Sequence, residues 1–480
     1  MGGLMCGMLV SCLFLLSSCG IYSKYEAKTA ADVPQNLYGD IALQSDTINS
    51  LGNMSWRTLF ADPQLQQLID TCLANNTDLE AARLHVDEAN AGLTAAKLSY
   101  LPSIAFTPNG ALSKYGIYPS TGKVYQIPFT ASWQIDAFGL LRNRHLATEA
   151  TRDMLRDVEQ ATATGLIAGV ANVYYTIAML DEQLAIARET EHTWLESVRT
   201  MKALMNAGMS NQAAVSQMEA AASGVRLQIL QLEQSRNEVC NSLALLLNRP
   251  AGSMAGIKPV LPQSLADAQR VANVGVPCQL LYNRPDVRVA ENNLRAACYT
   301  YKASISSFFP QITLQGLFGW TNTDGSNIIN PAFTIAQLVG SIVQPIFANG
   351  GLRAQKISAR DELAIAESAF EKKLLEAGVE VNNYLDAYQK AHEQTTVYQQ
   401  QVDALATAYK ATRLTMEHGT TTYLEVLTAQ QSLLGARLGQ VANRFAETQA
   451  VINLYTALGG GKAPLPAKGN APLPPKGESF

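Results

Sequence analysis

An internal duplication limits the fold of this 480-residue chain more than any other feature of its sequence. The segment that begins at Asp78, DLEAARLHVDEANAGLTAAKLSYLPSI, matches the segment that begins at Asp286, DVRVAENNLRAACYTYKASISSFFPQI, at a shorter offset of 208 residues (286 − 78). Further along, Gly208 corresponds to Gly419 at a longer offset of 211 residues (419 − 208), so a three-residue difference lies between the two matches. Length alone suggests roughly three domains, but the repeat predicts one unit built twice.

Each half contains a proline step followed by segments typical of β-strands. The steps Leu101-Pro102 and Phe309-Pro310 mark helix ends, because proline disfavours helical backbone in the residue before it. Residues 124–136 alternate apolar with mostly polar positions and residues 311–320 do so in the same sense, whereas 333–343 alternate poorly. We therefore expect four strands per chain, each with one apolar face and about 10 residues long, the length of a membrane strand.

Two stretches without proline predict very long helices. They cover residues 140–204 and 352–419, about 65 residues each, which corresponds to about 100 Å of helix. After Gly208 and Gly419 the chain is expected to turn into return helices. An apolar stripe with a mean step of 3.5 residues, the period of a left-handed supercoil, follows the second stretch. Its members are Leu363, Ala366, Phe370, Leu374, Ala377, Val381, Tyr384, Tyr388, Ala391, Thr395, Tyr398, Val402, Leu405, Tyr409 and Thr412.

The composition excludes several classes of protein. The net charge of −4 argues against a protein that binds nucleic acid by neutralising phosphates. Charged residues make up only 16% of the chain, against a usual share of about 25%. Residues 161–180 carry no charge and could be a membrane helix, but Thr, Asn and Gly dilute their apolar character, so we interpret them as part of the long helix.

The N-terminus predicts export and a lipid anchor. Residues 4–18 are apolar, uncharged and too short for a membrane span, so residues 1–18 are interpreted as a signal peptide. The segment Leu16-Ser17-Ser18-Cys19 resembles the lipobox of bacterial lipoproteins, whose cysteine becomes acylated. We expect covalent lipid on Cys19 and no other cofactor. The alternative is that Cys19 is one of three cysteines in an apolar leader.

The sequence contains no pattern that indicates catalysis. It has five His, no nucleophile motif, no phosphate-binding GxxxxGK[ST] loop and no Cys/His cluster with metal-ligand spacing. We therefore expect a protein that is not an enzyme and holds no metal. Four cysteines are assigned to packing, and a disulfide among them stays open. They are Cys72, Cys240, Cys278 and Cys298.

Four strands with a lipid-facing side predict an oligomer. Four strands cannot close into a barrel, and open sheet edges are not tolerated in lipid. Further copies of the chain must complete the barrel, and the long helices would continue the same tube away from the membrane. A lipid-anchored helical scaffold or adhesin without a pore is the alternative.

Several segments carry a family resemblance over residues 19 to about 461. They are WRTLF at 56–60, NNTDLEAAR, YNRPDVRVAE, the Phe-Phe-Pro step, PIFANGGLRA at 345–354 and HGTTTYLEVLTAQQSLL at 418–434. Together they resemble the TolC-type outer-membrane factors, and the lipobox resembles that of the NodT or OprM-like branch. The resemblance implies a mainly α fold with a membrane β part, and a homotrimer with a 12-strand barrel and a helical tunnel. It also implies a periplasmic adaptor and an inner-membrane pump, commonly of the resistance-nodulation-division class.

The resemblance also implies a gate at the periplasmic end of the tunnel. Its candidate residues are Thr421, Leu424, Glu425 and Thr428, and the turns at Gly208 and Gly419 would face the adaptor. Three copies of Glu425 would form a ring of carboxylates that attracts cations. Some relatives carry Arg at the position of Thr421 and acids at those of Thr428 and Ala214, so Leu424 would close the gate more by apolar contact. A solvated helix residue is the alternative role for Glu425.

The predicted organisation follows the duplication. Residues 1–18 are the signal peptide, 19–60 the lipidated N-terminal segment, 61–249 the first repeat, 250–264 a linker, 265–461 the second repeat and 462–480 a Pro-rich disordered tail. The tail could tether a partner, but a free end is the simpler interpretation. The predicted function is a passive exit duct of a tripartite efflux system for small molecules such as drugs, toxic compounds or metal ions. A duct for a type I secreted polypeptide is the other channel interpretation.

Overall fold

The computed structural model describes residues 20–26, 51–114, 121–265, 271, 283–322, 333–418 and 422–461. The signal peptide, Cys19, Cys278, Gly419, Thr421 and the Pro-rich tail lie outside these residues. The chain divides into a first compact unit, Met1–Lys28, Arg83–Asp157 and Arg288–Lys373, and a second one, Thr29–Ala82, Val158–Val287 and Leu374–Phe480. Each unit combines segments of both halves of the chain.

The described helices are α1 (Trp56–Leu59), α2 (Pro63–Asn75), α3 (Thr77–Leu98), α4 (Leu140–Asn206), α5 (Gln212–Leu246), α6 (Pro285–Ser306), α7 (Gly351–Glu417) and α8 (Tyr423–Ala457). The described strands are β1 (Ser103–Phe106), β2 (Asn109–Lys114), β3 (Thr121–Ile135), β4 (Gln311–Asn322) and β5 (Thr334–Val343). Short 3-10 turns lie at Gly20–Tyr22 and Leu51–Asn53. The described part of the chain is predominantly helical, as expected.

The duplication is visible in the lengths of the helices. Helices α3 and α6 both contain 22 residues, α4 and α7 both contain 67, and α5 and α8 both contain 35. A 67-residue helix is about 100 Å long at 1.5 Å per residue. The two long helices and the two return helices predicted from the sequence are therefore present.

The first unit contains one antiparallel sheet. Strands β1 and β2 both pair with β3 in one continuous register, so they are two parts of a single strand position. Thr107 lies between them and donates its N–H to the Pro128 carbonyl at 3.1 Å, whereas Pro108 has no N–H to donate. Strand β3 then pairs with β4, and β4 with β5. The sheet thus has four strand positions, as predicted, and β5 forms despite its poor alternation.

The pairing register shows where the three-residue difference lies. Ile104 pairs with Ala131 in the first half. In the second half Ile312, the equivalent of Ile104 at the shorter offset, pairs with Ile342, the equivalent of Ala131 at the longer offset. The offset thus changes between the two strands of one hairpin. The three additional residues of the second half lie between β4 and β5.

The second unit has a core built by α4, α5 and α8. Trp194, Met201 and Met218 are almost fully buried there, and Leu434 of α8 packs into the same cluster. Among the described helices, only α4 is long and apolar enough to cross a membrane by length and composition. However, 61% of its most apolar stretch is buried inside the protein. The uncharged segment 161–180 lies within α4 and is mostly buried or half-buried, which agrees with its interpretation as part of the long helix.

The apolar stripe of α7 is buried over only part of its length. Ala366, Phe370, Val381, Tyr388 and Ala391 are buried. From residue 395 onward, the stripe positions are half-buried or exposed in the single chain. The single chain therefore buries the first part of the predicted stripe, but it leaves the second part incompletely buried.

Two equivalent polar residues hold helix ends in the second unit. The Asn76 amide before α3 donates to the carbonyl of Leu246, the last residue of α5, at 3.0 Å. Arg284, the equivalent of Asn76 at the shorter offset, donates from Nη1 to the carbonyl of Ala457, the last residue of α8, also at 3.0 Å. Both side chains satisfy a carbonyl that a helix end leaves without an internal partner. The duplication thus extends to the helix termini.

Candidate functional site

One face of the sheet is apolar across all its strand positions. The register aligns Phe106, Phe129, Phe318 and Ala336 in one row across the strands. Large exposed apolar surfaces of this kind are rare on water-soluble monomers and indicate contact with lipid or another protein. The members of this face include Ile104, Phe106, Leu112, Tyr125, Ile127, Phe129, Ala131, Trp133, Ile135, Ile312, Leu314, Phe318, Trp320, Ala336, Leu338 and Ile342.

The opposite face of the sheet is mostly polar. One row across it consists of Gln134, Thr313 and Ser341. The polar members are Gln126, Thr130, Ser132, Gln134, Gln311, Thr313, Gln315, Thr321, Gln337 and Ser341, with Val124, Leu317, Ile335, Val339 and Val343 between them. An apolar face opposite a polar face is typical of a membrane barrel wall, which separates lipid from an aqueous interior.

Both outer edges of the sheet lack a neighbouring strand among the described residues of the chain. The β1 and β2 edge pairs only with β3, and β5 pairs only with β4. Ile104 of β1, Leu112 of β2 and Leu338 of β5 are each 74% exposed. Free N–H and C=O groups on an edge are costly in lipid, because no water is present to bind them. The sheet is therefore incomplete as a wall.

The turn at Gly208 is closed by local hydrogen bonds. Gly208 has a φ of +77°, a conformation that glycine adopts without strain. Its N–H donates to the Met205 carbonyl at 3.0 Å, and the Met209 N–H donates to the Leu204 carbonyl at 2.8 Å. Asn211 then caps α5 by accepting the Ala214 N–H. The predicted turn is present.

The described gate candidates lie in the first two turns of α8. Leu424 is 55% exposed, and Glu425 and Thr428 lie on the same helix, with Glu425 also exposed. The Thr428 hydroxyl donates to the Leu424 carbonyl at 2.9 Å. Thr422 is the N-cap of α8 but forms no side-chain cap bond. Glu425 lies in the first turn of α8, where the positive end of the helix dipole stabilises a negative charge. This position is compatible with both of its candidate roles, a charge that lines the gate and a solvated helix residue.

A link between the return helices near this turn was not predicted. The Tyr423 hydroxyl donates to the Gln217 side-chain oxygen of α5 at 2.8 Å, and Tyr423 packs against the buried cluster. Lys202 of α4 forms an ion pair of 2.6 Å with Glu219 of α5. No sequence pattern indicates these pairs, because each joins residues on different helices.

A buried charge network surrounds Arg284. The segment YNRPDVRVAE contributes to the family resemblance, but its pattern predicts no role for Arg284. The guanidinium binds both carboxylate oxygens of Asp286 and reaches Glu380 of α7 at 2.7 Å. Burial would lower the pKa of Arg284, but hydrogen bonds and charge from these two carboxylates raise it above its ordinary value. The network joins α6, α7 and α8.

A second buried polar contact involves Tyr174 in the charge-free part of α4. Its hydroxyl donates to Asp62, the N-cap of α2, at 2.5 Å. Burial and the hydrogen bond to Asp62 raise the pKa of Tyr174 above its ordinary value. Asp62 thus caps α2 through the Gln64 N–H and holds α4 at the same time.

The cysteines and acidic residues form no cluster of metal-ligand type within the described parts of the chain. Cys72, Cys240 and Cys298 are free thiols there. Cys72 is buried, its thiol donates to the Leu246 carbonyl at 3.2 Å, and burial raises its pKa to about 11. Cys72 and Cys240 therefore have the packing role that we assigned to them.

Comparisons with known proteins agree with this geometry. The family model of outer membrane efflux proteins matches the chain twice, over residues 68–249 and 276–460. The chain is 29% identical to the probable efflux pump outer membrane protein TtgC of Pseudomonas putida, over 93% of this chain and 94% of that protein. It is also 29% identical to the cation efflux system protein CusC of Escherichia coli, over 95% of this chain and 99% of that protein.

Two solved structures share the fold. The crystal structure of CusC, described as a transmembrane channel, aligns with a TM-score of 0.82 and 28% identity over 91% of this chain and 99% of that one. The outer-membrane channel OprN aligns with a TM-score of 0.84 and 23% identity over 92% of this chain and 99% of that one. The family resemblance predicted from the sequence is confirmed: the chain belongs to the outer membrane efflux protein family.

Proposed function

We propose that this chain is one subunit of an outer-membrane channel that serves an efflux system as a passive exit duct. The two-faced sheet, whose two edges are unpaired in the described part of the chain, carries this proposal. Such a sheet suits lipid on one side and solute on the other only after further strands close it. The family supports the same function, since its members are outer membrane efflux proteins.

The proposed assembly is a homotrimer. Three copies with four strand positions each would give a barrel of about 12 strands, an even number within the range of bacterial membrane barrels. Two copies would give about eight strands, whose interior is filled by side chains and leaves little room for solute. Three copies are therefore the smallest ring that suits a duct.

The helices are proposed to continue the duct across the periplasm. Helices α4 and α7 contain 67 residues each, and the second part of the α7 stripe, which the single chain buries only incompletely, supports packing against another copy. The chain carries no motif for nucleotide hydrolysis, so energy would come from an inner-membrane pump, of the resistance-nodulation-division class, through a periplasmic adaptor. Cys19 would anchor the chain by covalent lipid.

The gate is proposed to lie at the start of α8. Leu424 would close the lumen by apolar contact, while Glu425, with Thr421 and Thr428, would line it with polar groups. The adaptor, which would contact the turns at Gly208 and Gly419, would move these helix ends outward, a two-state opening. The missing side-chain cap at Thr422 supports this assignment, because an uncapped helix start is held less firmly.

Bilayer recordings test both the duct and the gate. We expect purified full-length protein to give discrete, cation-preferring conductance steps, and Glu425→Gln to lower the cation-over-anion permeability ratio because it removes the proposed ring of charge. Glu238→Gln is the matched control, since Glu238 is also an exposed glutamate on a return helix. A folded oligomer without any conductance would contradict the duct and favour a scaffold. Fully open channels that Glu425→Gln leaves unchanged would contradict the gate.

The cargo is proposed to be small toxic molecules or metal ions. The supporting relatives are named for cation efflux, CusC, and for toluene efflux, TtgC. Deleting the gene and measuring susceptibility to antibiotics, detergents, bile salts and metal salts separates these classes. Susceptibility unchanged across the whole panel would contradict general efflux of toxic compounds.

A further inference from the structure

The described sheet contains one junction between the two halves of the chain. Strand β3, the last strand of the first half, pairs with β4, the first strand of the second half. In this junction Ile127 pairs with Trp320, Thr130 with Leu317 and Ile135 with Ile312. The other possible junction would join β5, the last strand of the second half, to β1 and β2, the first strand position of the first half.

In a closed ring of copies, this other junction lies between neighbouring chains. Within one chain, β5 and the β1 and β2 edge are the opposite edges of the same sheet. A closed barrel leaves no free edge, so β5 of one copy meets β1 and β2 of the next. This step rests on the oligomer in the proposed function.

We propose that the junction between copies repeats the register of β3 and β4. The internal pairing defines the equivalences, since β4 corresponds to β1 and β2 at the shorter offset and β5 corresponds to β3 at the longer one. Leu338 is the equivalent of Ile127, and Leu112 is the equivalent of Trp320. Because Ile127 pairs with Trp320 within the chain, Leu338 of one copy then pairs with Leu112 of the next. Ser341 pairs with Asn109 in the same way, the equivalent of Thr130 with Leu317.

The side chains provide an independent check of this register. Leu338 and Leu112 both belong to the apolar face, and each is 74% exposed in the single chain. If β5 corresponded to β3 at the shorter offset instead, Ile335 of the polar face would oppose Leu112. An odd shift of register moves every side chain to the wrong face. The longer offset keeps the apolar face continuous from one copy to the next.

The same register explains an exposed apolar segment after β5. Ile346 is 95% exposed in the single chain, and its equivalent in the first half is Ile135, which pairs with Ile312. Pro345 has no N–H for a strand ladder, which fits the end of β5 at Val343. In the proposed junction Ile346 pairs with Ile104 of the next copy, so two strongly exposed isoleucines cover each other.

Disulfide cross-linking between copies tests the register. Thr107 donates to the Pro128 carbonyl, so the backbone groups of Pro128, and of Thr130 two residues later, point toward the β1 and β2 side. Thr130 and Leu317 are therefore a pair without backbone hydrogen bonds, in which Cβ atoms lie close together. The equivalent pair between copies is Ser341 and Asn109, whose separation would suit a disulfide.

We expect the double variant Ser341→Cys with Asn109→Cys, in full-length protein oxidised in its membrane, to migrate mainly as a covalent trimer that reduction converts to monomer. The matched control, Ser341→Cys with Ala111→Cys, is shifted by two residues on the same face. Its Cβ atoms would lie about 7 Å apart, too far for a bond. Each single variant should give no cross-linked species.

The outcomes separate the register from the proposed function. Cross-linking of the control pair instead, or of neither pair in protein that native mass spectrometry finds to be trimeric, would overturn the register and leave the duct intact. A protein that is monomeric would overturn the oligomer itself. If the first double variant does not assemble, Val339→Cys with Ala111→Cys decides the question, because the same register makes these residues the equivalents of Pro128 and Gly319, another pair without backbone hydrogen bonds.

Discussion

The first and second halves of the chain form helices of equal length but fasten them with different side chains. At equivalent positions, the first half uses the neutral amide of Asn76, whereas the second half uses the buried guanidinium of Arg284 with two carboxylates. At the return helices, Asn211 caps α5, whereas Thr422 forms no side-chain cap on α8. The comparison indicates that the apolar pattern, which both halves share, sets the lengths of the helices. The polar contacts, which differ, determine how strongly the helix ends of each half are stabilised.

The largest expected effect on stability is at Arg284, where the second half has a charge network and the first half has the amide of Asn76. Arg284→Met should lower the free energy of unfolding by about 3 kcal/mol, the lower end for breaking a buried pair, because Asp286 and Glu380 are partly exposed. Asn76→Ala, which removes the N-cap that the Asn76 side-chain oxygen forms with the Asp78 and Leu79 N–H groups, should lower it by only about 1 kcal/mol, the usual value for a lost N-cap. Chemical denaturation in detergent, followed by helical circular dichroism, measures both. Equal losses at the two positions would contradict the comparison.

The next effect concerns the start of the first long helix. Asp136 accepts the N–H groups of Leu141 and Arg142 at 3.0 and 2.8 Å, so it satisfies two donors at the start of α4. Asp136→Ala should therefore lower the free energy of unfolding by about 1–2 kcal/mol, whereas Asp136→Asn, which keeps one acceptor, should lose less. Thermal melting of the two purified variants provides the test. Identical melting temperatures for Asp136→Ala and the unmodified protein would refute the capping role.

The two caps of the return helices predict a smaller difference. Asn211→Ala should destabilise the start of α5 by about 1 kcal/mol, whereas Thr422→Ala should change the start of α8 by a few tenths of a kcal/mol at most. Hydrogen exchange of the amides in each first turn reports these local changes. Faster exchange in α8 than in α5 of the unmodified protein is expected as well. A larger effect from Thr422→Ala would show that α8 has a cap in solution.

The smallest expected effect on stability is at Glu425. Its charge in the first turn of α8 favours the helix by about 0.3–1 kcal/mol, at the low end because it is exposed. Glu425→Gln should thus have almost no effect on unfolding while it changes ion preference in the bilayer. Loss of stability without any change in ion preference would assign Glu425 to helix stabilisation alone.

Much of the fold could be predicted because the duplication and the hydrophobic period are local patterns. The longer offset, between Gly208 and Gly419, predicted that the second helical pair repeats the first. The alternation over residues 124–136 predicted the orientation of β3 in the sheet. The break at Thr107 and Pro108 was not identified, although the proline is a visible signal for it.

Other features depend on contacts between distant residues. The position of the three additional residues could not be read from the sequence, because Pro310 and Gly350 only bracket it. Only the pairing of Ile312 with Ile342 locates it within the hairpin. The network of Arg284 requires Glu380, which lies 96 residues further along the chain. Of the gate candidates, Leu424, Glu425 and Thr428 lie on α8, whereas Thr421, like the turn candidate Gly419, lies outside the described residues.

The central claim is that one chain supplies one third of a closed membrane wall. Native mass spectrometry of the full-length protein released from detergent micelles tests this claim most directly. We expect a single dominant species with three times the mass of one chain, as measured after denaturation of the same sample. A dominant species of one or two copies, from protein whose circular dichroism shows the expected helix content, would contradict the claim.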